Sequence, residues 1–234
     1  MIEKLNTIQT IAIIVPPFVL AVILHEVTHG WIAEKLGDPT ARNAGRLTLN
    51  PIPHIDLFWT ILMPALLYIS TGFVVGGAKP VPINPNNFKN PKRDMALSSL
   101  AGPGVNLLMA CLFAFLLRVI LPLMEKITPA ALWEPTALPV GLMLGAGVVI
   151  NVALAVFNMI PIPPLDGSRI VYWLLPDKQA AYFYKLERFG FIILIVLLSF
   201  RILGAIIWPI ILYILYFLLG QDILLSLANI FFKK

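Results

Sequence analysis

Apolar residues run in blocks along the chain, at roughly 8–33, 57–78, 96–121, 138–160, 189–207 and 208–231, with short polar stretches between them. Several blocks are long enough to cross a hydrocarbon core of ~30 Å as a helix, which takes about 20 residues. The polar stretches at 34–56 and 79–94 are dense in Pro, Asn and Gly and predict turn-rich, extended connections. Within the first, "GRLTLNP" has the composition of a short strand. The stretch from Asp177 to Arg188 predicts a helix lying in the membrane interface, with Tyr182, Phe183, Tyr184 and Lys185 as amphipathic anchors. Gly204 and Pro209 divide the tail at 189–231 into two expected spans.

Composition sharpens this pattern. The chain has 234 residues, 59% of them hydrophobic and 12% charged, with a mean hydropathy of +0.88, values outside the range of soluble domains. The expectation is an α-helical polytopic membrane protein with no sizeable soluble domain. One membrane-embedded domain would cover 1–234, with a catalytic core at about 8–170 and C-terminal helices at about 177–232. A net charge of +5 would suit nucleic acid in a soluble protein. In a membrane protein the same excess belongs to cytoplasmic loops, so a lipid bilayer is the expected partner and nucleic acid is not. The single cysteine, Cys111, lies within an apolar run, which excludes an intrachain disulfide and a CxxC metal site.

Loop charges bear on the path of 57–78. If it spans, six spans result, and Lys and Arg divide 11 against 6 between the two sides. If it dips in and returns, five spans remain. Lys35, Arg42 and Arg46 then join the richer side, Lys4 leaves it, and the division becomes 13 against 4. The positive-inside rule prefers the second arrangement. Pro64, Gly72, Gly76 and Gly77 suit such a broken, re-entrant path.

The first block carries the chemistry. Residues 24–30 read "LHEVTHG", an HExxH pattern inside an otherwise apolar helix. Side chains four apart share a helix face, so His25 and His29 can grip one metal ion, with Glu26 about 100° around the axis. From there the glutamate reaches a water on the metal without being a ligand. Zinc brings such a water's pKa to about 7, and the glutamate can carry its proton to a leaving amine. The plainer alternative is that the three side chains pair with neighbours. Ionisable groups within a membrane helix are costly, however, and this chain places two of its three histidines here. Pro16 and Pro17, upstream, are expected to kink the helix.

A catalytic zinc usually takes three protein ligands and a water. The best third candidate is Asp166 in "NMIPIPPLDGSR", with Gly167 after it permitting a tight turn; the alternative is an ordinary Asp-Gly turn. His25, His29 and Asp166 share a membrane side only if 57–78 is re-entrant, so metal chemistry and loop charge agree.

The paired motifs resemble the site-2 protease family of intramembrane zinc metalloproteases. The residues that carry the likeness are His25, Glu26 and His29, "AGPGVN" at 101–106, Asn158, Pro161 and "PPLDG" at 163–167. They span about 25–170 and resemble the compact prokaryotic branch without PDZ or CBS domains. That branch usually has "HIDPxGT" where this chain reads "HIDLFWT". The resemblance implies His25, His29 and Asp166 as ligands of one Zn²⁺ per chain and Glu26 as catalytic base. It implies Asn158 at the substrate backbone or oxyanion, against the alternative of a helix-end hydrogen bond. His54 is either near the zinc, the water or the substrate, or an ordinary surface histidine. Gly102 and Gly104 read as close-packing residues and Asn106 as an interhelical hydrogen bond. Alternating Pro and Val/Ile at 79–90 suggest an edge for an extended substrate strand.

The implied activity is intramembrane proteolysis of transmembrane protein substrates, such as single-span anti-sigma factors. The site would face the cytoplasm of a prokaryotic cell membrane. A non-hydrolytic metal-binding protein or zinc transporter is the alternative, although no internal repeat supports it. A membrane hydrolase acting on lipid or prenylated peptides is a third. Neither substrate identity nor oligomeric state is legible.

Overall fold

The computed structural model describes residues 5–56, 62 and 78–232, and gives the backbone alone for 134–135 and 231–232. The expected re-entrant segment 57–78 therefore lies outside the described residues, apart from Leu62 and Ala78. All regular structure among the described residues is helical. A long helix α1 (Thr7–Lys35) runs through Pro16 and Pro17. It is followed by a short helix α2 (Thr40–Asn43) and single 3-10 turns at Ile52–His54 and Pro85–Asn87. Helix α3 (Pro91–Glu125) has a π-helical stretch at Leu116–Ile120. Then come α4 (Ala130–Asn158), α5 (Asp166–Leu174), α6 (Asp177–Ser199) and α7 (Ile202–Phe232).

Local chemistry sets several of these boundaries. Pro91 opens α3, where a missing N–H costs nothing, and Asp94 Oδ2 reaches back to accept the Asn90 N–H at 3.0 Å. Helix α6 ends at Phe200 and Arg201, the latter in the left-handed region at φ 59. The tail thus breaks at 200–201 and not at Gly204 or Pro209, which both lie inside α7. A second discontinuity falls at Gly220, with φ 74 and ψ 168, a conformation glycine adopts without strain. The stretch expected as an interfacial helix from Asp177 is continuous with 189–199. Because Lys185, Glu187 and Arg188 lie in its first half, α6 is not among the helices apolar enough to cross. Among the described residues those are four: Thr7–Lys35, Pro91–Glu125, Thr136–Asn158 and Ile202–Ile230. The strand expected at "GRLTLNP" is not formed. Those residues run as turn and bends, with the Arg46 N–H donating to Ala41 C=O and so closing the α2 turn.

The described residues form two compact units. One comprises Met1–Ala21, Asn106–Leu154 and Pro209–Lys234, the other Val22–Val105 and Ala155–Trp208. In the first, glycines let helices approach closely: a Cβ at Gly147 would lie 2.5 Å from Phe113, and one at Gly145 2.7 Å from Leu227. Its outside is apolar, with Leu108, Tyr213 and Phe217 70–77% exposed, while Asn106 and Asn151 are fully buried. That inversion suits a lipid solvent. Asn106 Nδ2 donates to Asn151 Oδ1 at 2.9 Å and to Ala21 C=O at 3.2 Å, and Asn151 Nδ2 donates to Gly147 C=O at 2.8 Å. The expected interhelical bond from Asn106 is present, and it joins α1, α3 and α4.

Candidate metal centre

All three expected ligands belong to the second unit, and they converge. His25 Nε2 lies 3.0 Å from His29 Nε2, and Asp166 Oδ2 lies 3.2 Å from the first and 3.3 Å from the second. The histidines are four residues apart on one face of α1, as the HExxH spacing requires. Asp166 is the first residue of α5, where a carboxylate also suits the positive end of the helix.

Tight packing holds this arrangement. His29 Nδ1 lies 2.7 Å from Ser98 C=O, and Ser98 Oγ donates back to His29 C=O at 2.9 Å. With Nδ1–H directed at a carbonyl, Nε2 is left with its lone pair facing the cluster. Gly102 on α3 lies directly against both imidazoles. A Cβ there would collide with His29 and come within 2.7 Å of His25. The expected close-packing role of Gly102 is met, whereas Gly104 faces open space. Gly167 has no positive φ, so it does not serve a tight turn. A Cβ on it would strike the Met159 carbonyl, and its role is to let α5 lie against the 159–160 backbone. Gly30 does the same on α1, where a Cβ would come within 2.7–2.8 Å of Leu47, Ala41 and Val81.

The donor set fits a metal ion. Asp166 Oδ2 is buried and has no hydrogen-bond partner, although two imidazole nitrogens lie within 3.3 Å. An orphaned buried carboxylate oxygen costs about 1–3 kcal/mol or more, which a shared cation would relieve. Zinc–nitrogen and zinc–oxygen bonds of about 2.0–2.2 Å in a tetrahedral shell place ligand atoms about 3.3 Å apart, close to the three separations found.

Glu26, beside His25, does not enter this trio. Its Oε2 accepts the Val81 N–H at 2.9 Å, which turns the carboxylate toward the 79–84 segment. That segment is extended and closely tied. Lys79 N–H donates to His54 C=O at 2.8 Å, Arg46 donates to Lys79 C=O at 2.6 Å, and Asn84 N–H donates to Asp38 at 2.7 Å. Since residues 80, 82 and 85 are proline, an edge for substrate there would offer carbonyls far more than N–H groups. His54 is buried with Nε2 at 2.9 Å from Thr48 C=O, so it is not a surface histidine, and it does not join the cluster. Asn158 is half-buried at the last position of α4.

Known proteins agree with this chemistry. The model of "Peptidase family M50" matches residues 136–198, a stretch that includes Asp166. Two relatives share the printed description "Putative zinc metalloprotease". YwhC of Bacillus subtilis strain 168 is 35% identical over 218 residues, covering 92% of this chain and 90% of its own length. Rip2 of Mycolicibacterium smegmatis is 28% identical over 199 residues, covering 84% of this chain and 70% of its own. The chain belongs to peptidase family M50, the site-2 protease family. It is a zinc metalloprotease of the membrane, compact and without appended domains within the 234 residues. No solved structure matches it.

Proposed function

We propose that the chain is an intramembrane endopeptidase that hydrolyses peptide bonds in or near the transmembrane segments of other membrane proteins. The observation that carries this reading is the convergence of three donors, with Asp166 Oδ2 unpartnered, beside a carboxylate held close by. His25, His29 and Asp166 would hold one zinc ion. Bound there, zinc supplies Lewis acidity, which polarises a peptide carbonyl and lowers the pKa of a water to about 7.

The chain's own groups do the rest. Ser98 C=O fixes the His29 tautomer and Gly102 keeps the imidazoles against α3. Glu26 is anchored through Oε2 by the Val81 N–H, and Oε1 takes the proton of the attacking water and passes it to the leaving amine. The Asn158 carboxamide, at the end of α4, would meet the substrate backbone or the developing oxyanion. Substrates such as single-span anti-sigma factors would unwind locally to reach the site. The loops at 34–56 and 79–94 would admit water.

The active site lies toward the cytoplasmic side of a prokaryotic cell membrane in this reading, and 57–78 is re-entrant. Support comes from the flanking backbone. The Lys79 N–H donates to His54 C=O at 2.8 Å, so the two residues that flank the segment lie together. A single crossing would separate those residues by about 30 Å.

The test is cleavage of a panel of tagged single-span proteins co-expressed with wild type or Glu26→Gln. The variant is expected to lose about 10²–10⁴-fold in cleavage while its zinc content stays that of wild type. Cleavage at the wild-type rate by Glu26→Gln would refute the proton role.

A further inference from the structure

Leu175 and the first turns of α6 line a groove of ≈ 450 Å³. Tyr182, Leu186 and Phe189 give it apolar walls, and Lys185 and Arg188 stand beside them. Spacings of three, four and seven residues gather these side chains on one side of the helix. The two cations are held in place: Lys185 Nζ lies 5.4 Å from the Tyr182 ring centroid, and the Arg188 guanidinium lies 4.8 Å from that of Phe189. Among the described residues neither has a carboxylate within ion-pair distance. Their neighbours are matched. Arg169 is bidentate to Glu187 at 2.5 and 3.2 Å, and Lys92 bonds Leu175 C=O at 2.6 Å and Asp177 at 3.1 Å. An apolar trough flanked by two unmatched cations, on a helix with exposed Tyr182 and Tyr184, suits one occupant in a membrane protein. That occupant offers hydrocarbon to the trough and negative charge to its flank.

We infer that this groove binds an anionic phospholipid of the bilayer, its phosphate on Lys185 and Arg188 and its acyl chain against Leu175, Leu186 and Phe189. Phosphatidylcholine offers the same phosphate, but its quaternary ammonium cancels the net charge and weakens the attraction to these cations. The helix that carries the groove also packs against the segment presenting Asp166. Glu187, adjacent to Arg188, clamps Arg169 on α5, three residues from Asp166. Gly190 packs so closely on the Pro163 backbone that a Cβ would collide with it.

The experiment is native mass spectrometry of the purified full chain titrated with phosphatidylglycerol or phosphatidylcholine. Wild type is expected to retain phosphatidylglycerol preferentially. Lys185→Gln with Arg188→Gln should weaken that binding about thirtyfold, about fivefold for each cation. Leu186→Asn, which leaves both charges, should weaken it too, and Lys178→Gln, which removes a single charge outside the groove, should not. Equal retention of the two lipids by wild type would overturn the inference, as would undiminished phosphatidylglycerol binding in the double variant. An unaffected Leu186→Asn would also overturn it, since a bare anion or an acidic peptide would then suffice. These readouts need no proteolysis, so they stand whether or not the endopeptidase reading holds.

Discussion

Two buried polar clusters in this molecule differ in one respect that separates scaffold from function. In the first unit Asn106 donates its amide hydrogens to Asn151 Oδ1 and the Ala21 carbonyl, and Asn151 donates to the Gly147 carbonyl. His25, His29 and Asp166, in the second, present three donor atoms to one another and leave Asp166 Oδ2 without a hydrogen bond. Both lie among apolar residues and both carry a desolvation cost. One cluster meets that cost within the chain, whereas the other leaves a buried carboxylate oxygen unmatched. Asp38 makes the same contrast with a carboxylate. It is fully buried, yet it accepts from the Thr40 hydroxyl, the Asn87 amide at 2.6 Å and the backbone N–H groups of Asn84 and Thr40. A missing hydrogen bond, rather than burial, is what distinguishes Asp166.

Three substitutions probe this contrast. The largest effect is expected from Gly102→Ala. The added methyl group displaces both imidazoles, and zinc affinity measured by competition with a chromophoric chelator should fall by about 10–100-fold, the usual effect of disturbing a ligand's support. An unchanged affinity would mean that the imidazoles are not held by α3. Next is Asn106→Ala, which leaves Asn151 Oδ1 short of a donor. It should lower unfolding stability in mixed micelles by about 0.6–2 kcal/mol with zinc per chain unchanged. Zinc loss in that variant would erase the distinction between the clusters.

The smallest effect is expected from Asp38→Asn. Burial opposes charge on Asp38, but its hydrogen bonds more than offset this and lower its carboxyl from the ordinary value. A carboxyl depressed on folding contributes stability that is present above its unfolded pKa of about 3.9 and is lost as pH falls through the lower folded value. Acidification from pH 5 toward 3 should therefore lower the wild-type melting temperature more than that of Asp38→Asn. Parallel melting curves for the two proteins would show that the Asp38 hydrogen bonds do not favour its ionised form.

The three converging residues were legible as candidates in the sequence because that signal is one of residue type and spacing. His25 and His29 are four apart on a helix, and Asp166 is a carboxylate following a Pro-rich break. What supports them was less legible. His29 leans on the Ser98 carbonyl and Glu26 on the Val81 N–H, and a backbone group carries no residue signature. Gly167 read as a turn residue, yet it serves close approach, because sequence does not tell a glycine needed for φ from one needed for space. Gly104 suggested close packing beside Gly102 but faces open space. The C-terminal boundary was misplaced for a related reason. Pro209 and Gly204 look like breakers, but a long apolar helix accommodates them, while the actual stop is Arg201 in a left-handed conformation that arginine does not advertise.

The most direct test of the metal site is zinc per chain in purified wild type and Asp166→Ala, after dialysis against a weak chelator. The donor geometry predicts one zinc per chain in wild type and loss of nearly all of it in Asp166→Ala. A variant that keeps one zinc per chain would contradict the assignment of the orphaned carboxylate as the third ligand.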